Sequence, residues 1–225
     1  VGILVLVRHG KSEWNKRNIF TGWVDIPLSP EGIDEALECG REIAHIPFDV
    51  IFTSTLNRAM STAMLAMSVH DEGKVPCFMS DDKRGQVADK KTLETLIPVY
   101  SAWELNERMY GELQGRDKDA CRKEFGEEQV KIWRRSFATP PPGGESLKET
   151  TERTLPYFEE KIVPYLKKGK NVLISAHGNS LRAIVKRLDG LSDDEILHLE
   201  IPTGRPIAYR MEGEELKKIP PDAAL

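Results

Sequence analysis

The chain opens with an apolar run, Val1 to Val7, that stops abruptly at Arg8. A short unbroken run of this kind predicts a strand buried on both faces. Ser29-Pro30-Glu31 then supplies an N-cap, a proline suited to the first helical position and an acid for the first turn. Ile33, Ala36, Leu37, Gly40, Ile43 and Ala44 follow at helical spacing, so this helix is predicted to lay one face on a sheet. Phe48 to Phe52 predicts a second strand, Thr53-Ser54-Thr55 a capping cluster, and the Met- and Ala-rich stretch from Leu56 to about Val69 a second helix.

From Asp71 to about Leu96 the periodicity fades and charge rises around Asp81-Asp82-Lys83-Arg84-Gly85, which predicts a surface insertion over about 71–100. Asp117 to Phe125 and Glu127 to Phe137 predict short helices separated by Gly126, and Pro140-Pro141-Pro142-Gly143-Gly144 ends helical structure. Ser146 to Lys168 reads as helix, kinked or broken at Pro156 and Pro164. Asn171 to Ser175 predicts another strand, Asn179 to Leu188 and Asp193 to Leu199 helices, and Pro206 to Met211 a final strand. Strands alternating with helices give the α/β class, a mostly parallel sheet with helices on both faces. No period of 20 to 50 residues repeats. At 225 residues with 40% hydrophobic content, the whole chain, 1–225, is expected to form a single domain.

Composition narrows the partners. Thirty-two basic residues against 36 acidic ones give a formal charge of −4, so neither nucleic acid nor a membrane surface is an expected partner, and any basic site must be local. Cys39, Cys77 and Cys121 are odd in number, widely spaced and form no C-x-x-C pair, which argues against a disulfide framework and a structural zinc site and suits a reducing cytoplasm. Gly2 to Val7 is too short for a signal-peptide core or a membrane span.

The candidate chemistry lies where two strands end. Arg8-His9-Gly10 follows the first apolar run and Ala176-His177-Gly178-Asn179-Ser180 follows the run at 171–175, so the pattern His-Gly-x-Ser occurs twice. Ligands of open α/β folds bind beyond the carboxyl ends of the strands, which predicts that the two histidines face one site. A neutral imidazole can attack phosphorus through one nitrogen while the other donates a hydrogen bond that fixes the tautomer. The second histidine can then hydrogen-bond the charged oxygens of in-line transfer. Two histidines and a carboxylate also make a metal ligand set, a reading that Arg8 opposes, because a guanidinium repels a divalent cation and grips phosphate bidentately.

Other residues extend this pattern. Ser12, Asn15, Thr21 and Gly22 form a small polar stretch suited to hydrogen-bonding an anion, or simply to making a turn. Arg58 falls in the first turn after the second strand, near the strand ends, where a solvated arginine is the plainer alternative. Glu107, in Leu105-Asn106-Glu107-Arg108-Met109-Tyr110-Gly111, is the best candidate to take and return a hydroxyl proton; a surface pair with Arg108 is the alternative. Lys118 and the tandem Arg134-Arg135 add charge suited to phosphate and carboxylate. Neighbouring helical residues point about 100° apart, so both arginines reach one ligand only near a helix end or bend. A catalytically silent anion-binding scaffold would use the same residues.

These motifs resemble the cofactor-dependent phosphoglycerate mutases of the histidine phosphatase superfamily, nearly end to end. The resemblance is carried by Leu6-Val7-Arg8-His9-Gly10, Ser12-Glu13-Trp14-Asn15, Phe20-Thr21-Gly22-Trp23, Leu105-Asn106-Glu107-Arg108 with Tyr110-Gly111, Trp133-Arg134-Arg135, Ala176-His177-Gly178-Asn179-Ser180-Leu181-Arg182 and Ile201-Pro202-Thr203-Gly204, in order and spacing. It implies a phosphoglycerate mutase-like fold, His9 as the phosphorylated nucleophile, Glu107 as proton donor and acceptor, and His177 as stabiliser of the transition state. Arg8 and Arg58 would grip the transferred group. Ser12, Asn15, Thr21, Gly22, Arg108, Tyr110, Lys118, Arg134, Arg135, Gly178 and Asn179 would line the ligand site.

The same resemblance implies interconversion of 2- and 3-phosphoglycerate, 2,3-bisphosphoglycerate as intermediate and primer, no metal, and a homo-oligomer, dimer or tetramer. A phosphatase or a bisphosphoglycerate synthase using the same phosphohistidine is the alternative. Three departures bear on water exclusion. Lys11 stands where Glu or Gln is usual, residues 71–100 are longer and Phe137 to Ser146 shorter than in many members, and Leu225 follows the last predicted strand closely. Poor closure would let phosphohistidine hydrolyse.

Overall fold

A computed structural model describes residues 1–71, 73–79 and 89–224. The first apolar run becomes β1 (Ile3–Arg8), whose side chains alternate between two separate cores. Leu4 and Leu6 pack with Phe158, Ile162, Leu181 and Ile184, whereas Ile3, Val5 and Val7 pack with Cys39, Ile43, Ala63 and Met67. A strand covered on both faces has no polar side, which is why the run shows no alternation. Each such buried aliphatic side chain contributes about 1.5–3 kcal/mol relative to exposure.

The remaining strands are β2 (Val50–Thr53), β3 (Val75–Phe78), β4 (Leu96–Ser101), β5 (Val172–Ala176), β6 (Pro206–Glu212) and β7 (Glu215–Ile219). Among the described residues they form one sheet in the order β3-β4-β2-β5-β1-β6-β7. The first five in that order are parallel, and β6 runs antiparallel to both β1 and β7. The helices are α1 (Glu13–Lys16), α2 (Pro30–Glu42), α3 (Asn57–Ser68), α4 (Lys90–Leu93), α5 (Lys118–Phe125), α6 (Glu127–Arg135), α7 (Leu147–Tyr157), α8 (Val163–Lys167), α9 (Gly178–Asp189) and α10 (Glu195–His198). Helices α2 and α3 cover one face of the sheet, and α7, α8 and α9 the other. This is the expected α/β arrangement. No described helix is long and apolar enough to cross a membrane.

Two local choices aim the first histidine. Ser29 caps α2 through Gly32 N at 3.1 Å, with Pro30 opening the helix. Gly10 and Gly32 then meet backbone to backbone, since a Cβ on Gly10 would lie 2.1 Å from Gly32 O. Only glycine permits that approach. The turn after β1 is thereby pressed against the first turn of α2.

The structure departs from the predicted elements in four places. The stretch 71–100, expected as a surface insertion, supplies β3 and β4, with Ile97 and Val99 fully buried; its charged centre, Asp81 to Gly85, lies outside the described residues. Pro76 and Pro98 hid these strands, because a proline argues against a paired strand. Pro98 is tolerated because pairing of β4 with β2 starts at Val99. Pro206 to Met211 is not the final strand, because Gly213-Glu214 turns the chain into β7, with Gly213 at φ +63° as a two-residue hairpin loop requires. Ser12 starts a short helix, α1, rather than a loop. The proline-bearing helix is continuous but opens into a π-helical turn, Phe158–Ile162, just before Pro164.

Candidate active site

In the register of β1 and β5, Arg8 pairs with Ala176, so His9 and His177 leave the sheet side by side. His9 N donates to Ala176 O at 3.0 Å, and the imidazole centroids are 5.0 Å apart. His9 Nδ1 donates to Gly10 O at 2.6 Å, which leaves the lone pair on Nε2. Burial, then Arg58 and Arg8, hold His9 well below the usual histidine range, against a smaller opposing effect of the Gly10 carbonyl. It is neutral at pH 7, with its free nitrogen fixed.

His177 is fully buried, and burial, then the charges of Arg58 and Arg8, hold it well below the usual histidine range. Its Nε2 lies 2.7 Å from Ser54 Oγ, which also accepts from Leu56 N at 3.2 Å. With that N–H occupying an oxygen lone pair, the hydroxyl proton is free to point at Nε2. When the Ser54 hydroxyl donates to Nε2, the proton of His177 sits on Nδ1, a buried atom with no hydrogen-bonding partner in the protein. Two neutral imidazoles therefore stand side by side.

Glu107 is held by one oxygen. Oε1 accepts from Arg108 N at 2.7 Å, Asn179 Nδ2 at 2.9 Å and Asn179 N at 3.2 Å. Oε2 and Arg8 Nε both face Gly178: a Cβ on Gly178 would stand 3.6 Å from Arg8 Nε and 3.8 Å from Glu107 Oε2. Arg8 Nε is buried without a protein partner, while Arg8 Nη1 donates to Ile201 O at 2.9 Å. Arg58, at 1% exposure, donates to Val24 O and Gly22 O at 2.9 and 2.7 Å and so ties the 21–24 loop to α3. Burial pulls its guanidinium down to about 10, helped by Arg8 and opposed by Glu107 and Asp25, which still leaves it charged at neutral pH.

His9, Glu107, Arg8 and Arg58 share a cavity of about 170 Å³. Of the residues singled out from the sequence, Arg8, His9, Asn15, Thr21, Gly22, Arg58, Glu107, Tyr110, Lys118, Arg134, Arg135, Gly178 and Asn179 line it. The tandem arginines both reach it because they are the last two residues of α6. Burial, reinforced by Arg134, Arg8 and Arg122, lowers Lys118 to about 8 against the pull of Glu107. A small third core of Phe20, Leu113, Cys121 and Val130, with Tyr110 and Trp133 against it, joins α5 and α6 over the cavity.

Three of the singled-out residues are placed elsewhere. His177 stands behind the cavity lining, against His9. Ser12 caps α1: its Oγ accepts from Asn15 N and its N–H donates to Asn15 Oδ1, both at 3.1 Å. Arg108 is buried with its guanidinium 5.2 Å from the Tyr110 ring centre. Lys11 turns away, its Nζ 3.1 Å from Glu31 on α2. Residues 221–224 lie against β6 and His45, and none of them lines the cavity.

Sequence reasoning missed several groups. Arg182 lines the cavity one helical turn beyond Gly178, a spacing that could have revealed it. Glu200 lines it as well and pairs with Arg135 at 2.6 Å. Arg153 lies behind Glu107, donating to Glu145 Oε1 (2.8 Å), Glu104 O (2.8 Å), Asn106 O (3.1 Å) and Glu107 O (2.9 Å), and packs beside the adjoining rings of Trp23 and Trp103. Nothing local in the sequence marks Arg153 or Ser54 as part of the site. Among the described residues, no group of three or more His, Cys, Asp and Glu side chains could hold a metal ion. The lining arginines and Lys118 would also repel one.

Comparison with known proteins bears on this geometry. The chain matches the family described as the histidine phosphatase superfamily (branch 1) over residues 4–82 and 74–218. It is 52% identical over 221 residues to the 2,3-bisphosphoglycerate-dependent phosphoglycerate mutase of Chlamydia trachomatis serovar L2b, covering 97% of this chain and 98% of that one. It is 54% identical over 220 residues to the protein of the same name from Protochlamydia amoebophila, covering 96% and 97%. Among solved structures, Bacillus stearothermophilus YhfR superposes with a TM-score of 0.76 at 22% identity over 97% of this chain and 95% of that one. The α-ribazole phosphatase of Shigella flexneri gives 0.72 at 22% identity over 96% and 94%. At that identity the solved structures establish the shared fold. The chain belongs to the histidine phosphatase superfamily, branch 1, and within it to the family of 2,3-bisphosphoglycerate-dependent phosphoglycerate mutases.

Proposed function

We propose that the protein interconverts 2-phosphoglycerate and 3-phosphoglycerate through a phosphorylated His9, with 2,3-bisphosphoglycerate as intermediate and primer. The observation that carries this reading is a neutral His9 whose Nδ1 is tied to Gly10 O, in one cavity with the Oε2 side of Glu107 and five cations, Arg8, Arg58, Lys118, Arg134 and Arg135. In-line phosphoryl transfer needs these parts: a free nucleophile, a proton carrier, and fixed charge around the migrating group.

The geometry supports the following steps. Phosphorylated His9 delivers its phosphoryl group to O2 of 3-phosphoglycerate; the N–P bond breaks as the O–P bond forms, and Glu107 Oε2 takes the hydroxyl proton. The bisphosphate turns over within the cavity. His9 Nε2 then attacks the 3-phosphoryl group, Glu107 returns the proton to O3, and 2-phosphoglycerate leaves. Arg8 Nε and His177 Nδ1, two of the buried nitrogens without protein partners, serve the equatorial oxygens. Lys118, Arg134 and Arg135 take the remaining phosphate and carboxylate. Ser12 and Arg108 act from behind, by shaping α1 and by backing Tyr110. We assign the reaction to the cytoplasm, which suits the unpaired Cys39, Cys77 and Cys121, and a dimeric or tetrameric assembly, testable by light scattering.

The test is transfer of radiolabel from 2,3-bisphosphoglycerate to protein, with 2-phosphoglycerate and inorganic phosphate both measured. The wild type is expected to carry an acid-labile label and form 2-phosphoglycerate, also after exhaustive chelation, and His9→Ala to carry none. Phosphate release exceeding mutase turnover at saturating bisphosphoglycerate would make the protein a phosphatase. An unlabelled wild type would make it a binding protein.

A further inference from the structure

Two carboxylates, Glu107 and Glu200, line the cavity alongside its arginines and Lys118. Glu107 has a chemical task; Glu200 has none in the reaction above. Its Oε1 lies 2.6 Å from Arg135 Nη2. The chain on either side of Glu200 is pinned by cavity cations, since Arg182 Nε donates to Leu199 O and Arg8 Nη1 to Ile201 O, both at 2.9 Å. Arg135, by contrast, ends α6, which packs in the separate core over the cavity. The ion pair therefore joins two walls of the cavity. Its side chains are 35% and 67% exposed, so the pair is weak enough to exchange.

We propose that Glu200 is a positioning residue that holds Arg135 until an anionic group of the ligand displaces it, so that affinity depends on how many anionic groups the ligand carries. The inference rests on the reading of the cavity as a phosphoglycerate site. An N–H bonded to Glu200 is withheld from the ligand. A single phosphate between His9, Arg8 and Arg58 leaves that pair intact. A ligand with a second phosphate or a carboxylate near Arg135 must displace Glu200 and bear its repulsion, so Glu200 opposes bisphosphorylated ligands selectively.

Titration calorimetry of the wild type and Glu200→Gln with inorganic phosphate and with 2,3-bisphosphoglycerate tests this. Glu200→Gln is expected to bind bisphosphoglycerate about two- to fivefold more tightly, equivalent to about 0.4–1 kcal/mol, with phosphate affinity unchanged. In an Arg135→Gln background most of that gain is expected to vanish, because the route runs through Arg135. Equal gains for both ligands, weaker bisphosphoglycerate binding, or a full gain without Arg135 would each overturn the proposal. A wild type that binds bisphosphoglycerate no better than phosphate would instead remove the ligand reading of the cavity, and this proposal with it.

Discussion

Replacing Glu107 by Gln separates shape from proton transfer more cleanly than most such changes, because the two carboxylate oxygens have different neighbours. Oε1 takes three N–H donors at 2.7, 2.9 and 3.2 Å, so the glutamine carbonyl must occupy that place, since a flipped NH₂ would face the donors. The amide nitrogen then falls where Oε2 stands, facing Gly178. It can neither take a hydroxyl proton nor return one. Loss of a positioned acid–base group costs about 10²–10⁴ in rate, or about 2.7–5.5 kcal/mol of barrier. Binding should not weaken, because removing a negative charge from an anion site lessens repulsion.

The expected result is therefore a kcat lowered by about 10²–10⁴ with KM for 3-phosphoglycerate unchanged or reduced. The acceptor bonds lose charge assistance, which is worth about 1–3 kcal/mol of local stability, so a modest fall in Tm should accompany it. Steady-state kinetics with circular dichroism melting makes the check. A kcat within tenfold of wild type, or an increase in KM matching the fall in kcat, would refute the division of labour between the two oxygens.

Two further predictions concern groups around the nucleophile. Ser54→Ala removes the hydroxyl that sets the His177 tautomer; nitrogen NMR should show both neutral tautomers, and kcat should fall about 2- to 12-fold with little change in KM, whereas an unchanged single tautomer and an unchanged kcat would sink the idea. Lys118, lowered to about 8 by burial and then by Arg134, is charged below that value and neutral above it, so kcat/KM for anionic substrates should decline as pH rises through about 8. Lys118→Arg keeps its charge and should move that decline to higher pH, an expectation that identical profiles would defeat; His9, held well below its usual range, should add no acid limb near 6.5.

What could be read from the sequence was whatever the chain states locally. Val1 to Val7 and Asn171 to Ser175 carry their strands in short apolar runs, and each histidine follows its strand directly, so both ends of the site were legible before any fold was known. Arg134 and Arg135 were legible with a condition attached, a helix end, which α6 supplies. Strands β3 and β4 were not, because Pro76 and Pro98 interrupt their patterns and the neighbours that bury Ile97 and Val99 come from elsewhere in the chain. Arg153 was invisible for the same reason. Its partners at 104, 106 and 107 are some 46 to 49 residues away, and only folding turns an exposed-looking helical arginine into the support of the Glu107 loop.

Arg8 and Arg58 then take on two tasks that pull in one direction. The charges that attract a phosphoryl group also disfavour protonation of the imidazole beside them, after burial has already done so. A surface histidine next to a phosphate would tend to gain a proton and lose its nucleophilic lone pair. Under the proposed mechanism, His9 Nε2 stays unprotonated because the ring is buried and its neighbours are cations, while its other nitrogen is committed to Gly10 O at 2.6 Å. In the proposed mechanism, Arg58 and Arg8 thus add a charge coupling between anion binding and nucleophile activation to the larger effect of burial. A metal ion in the same cavity could lower the histidine pKa too, but it would occupy the lone pair that has to reach phosphorus.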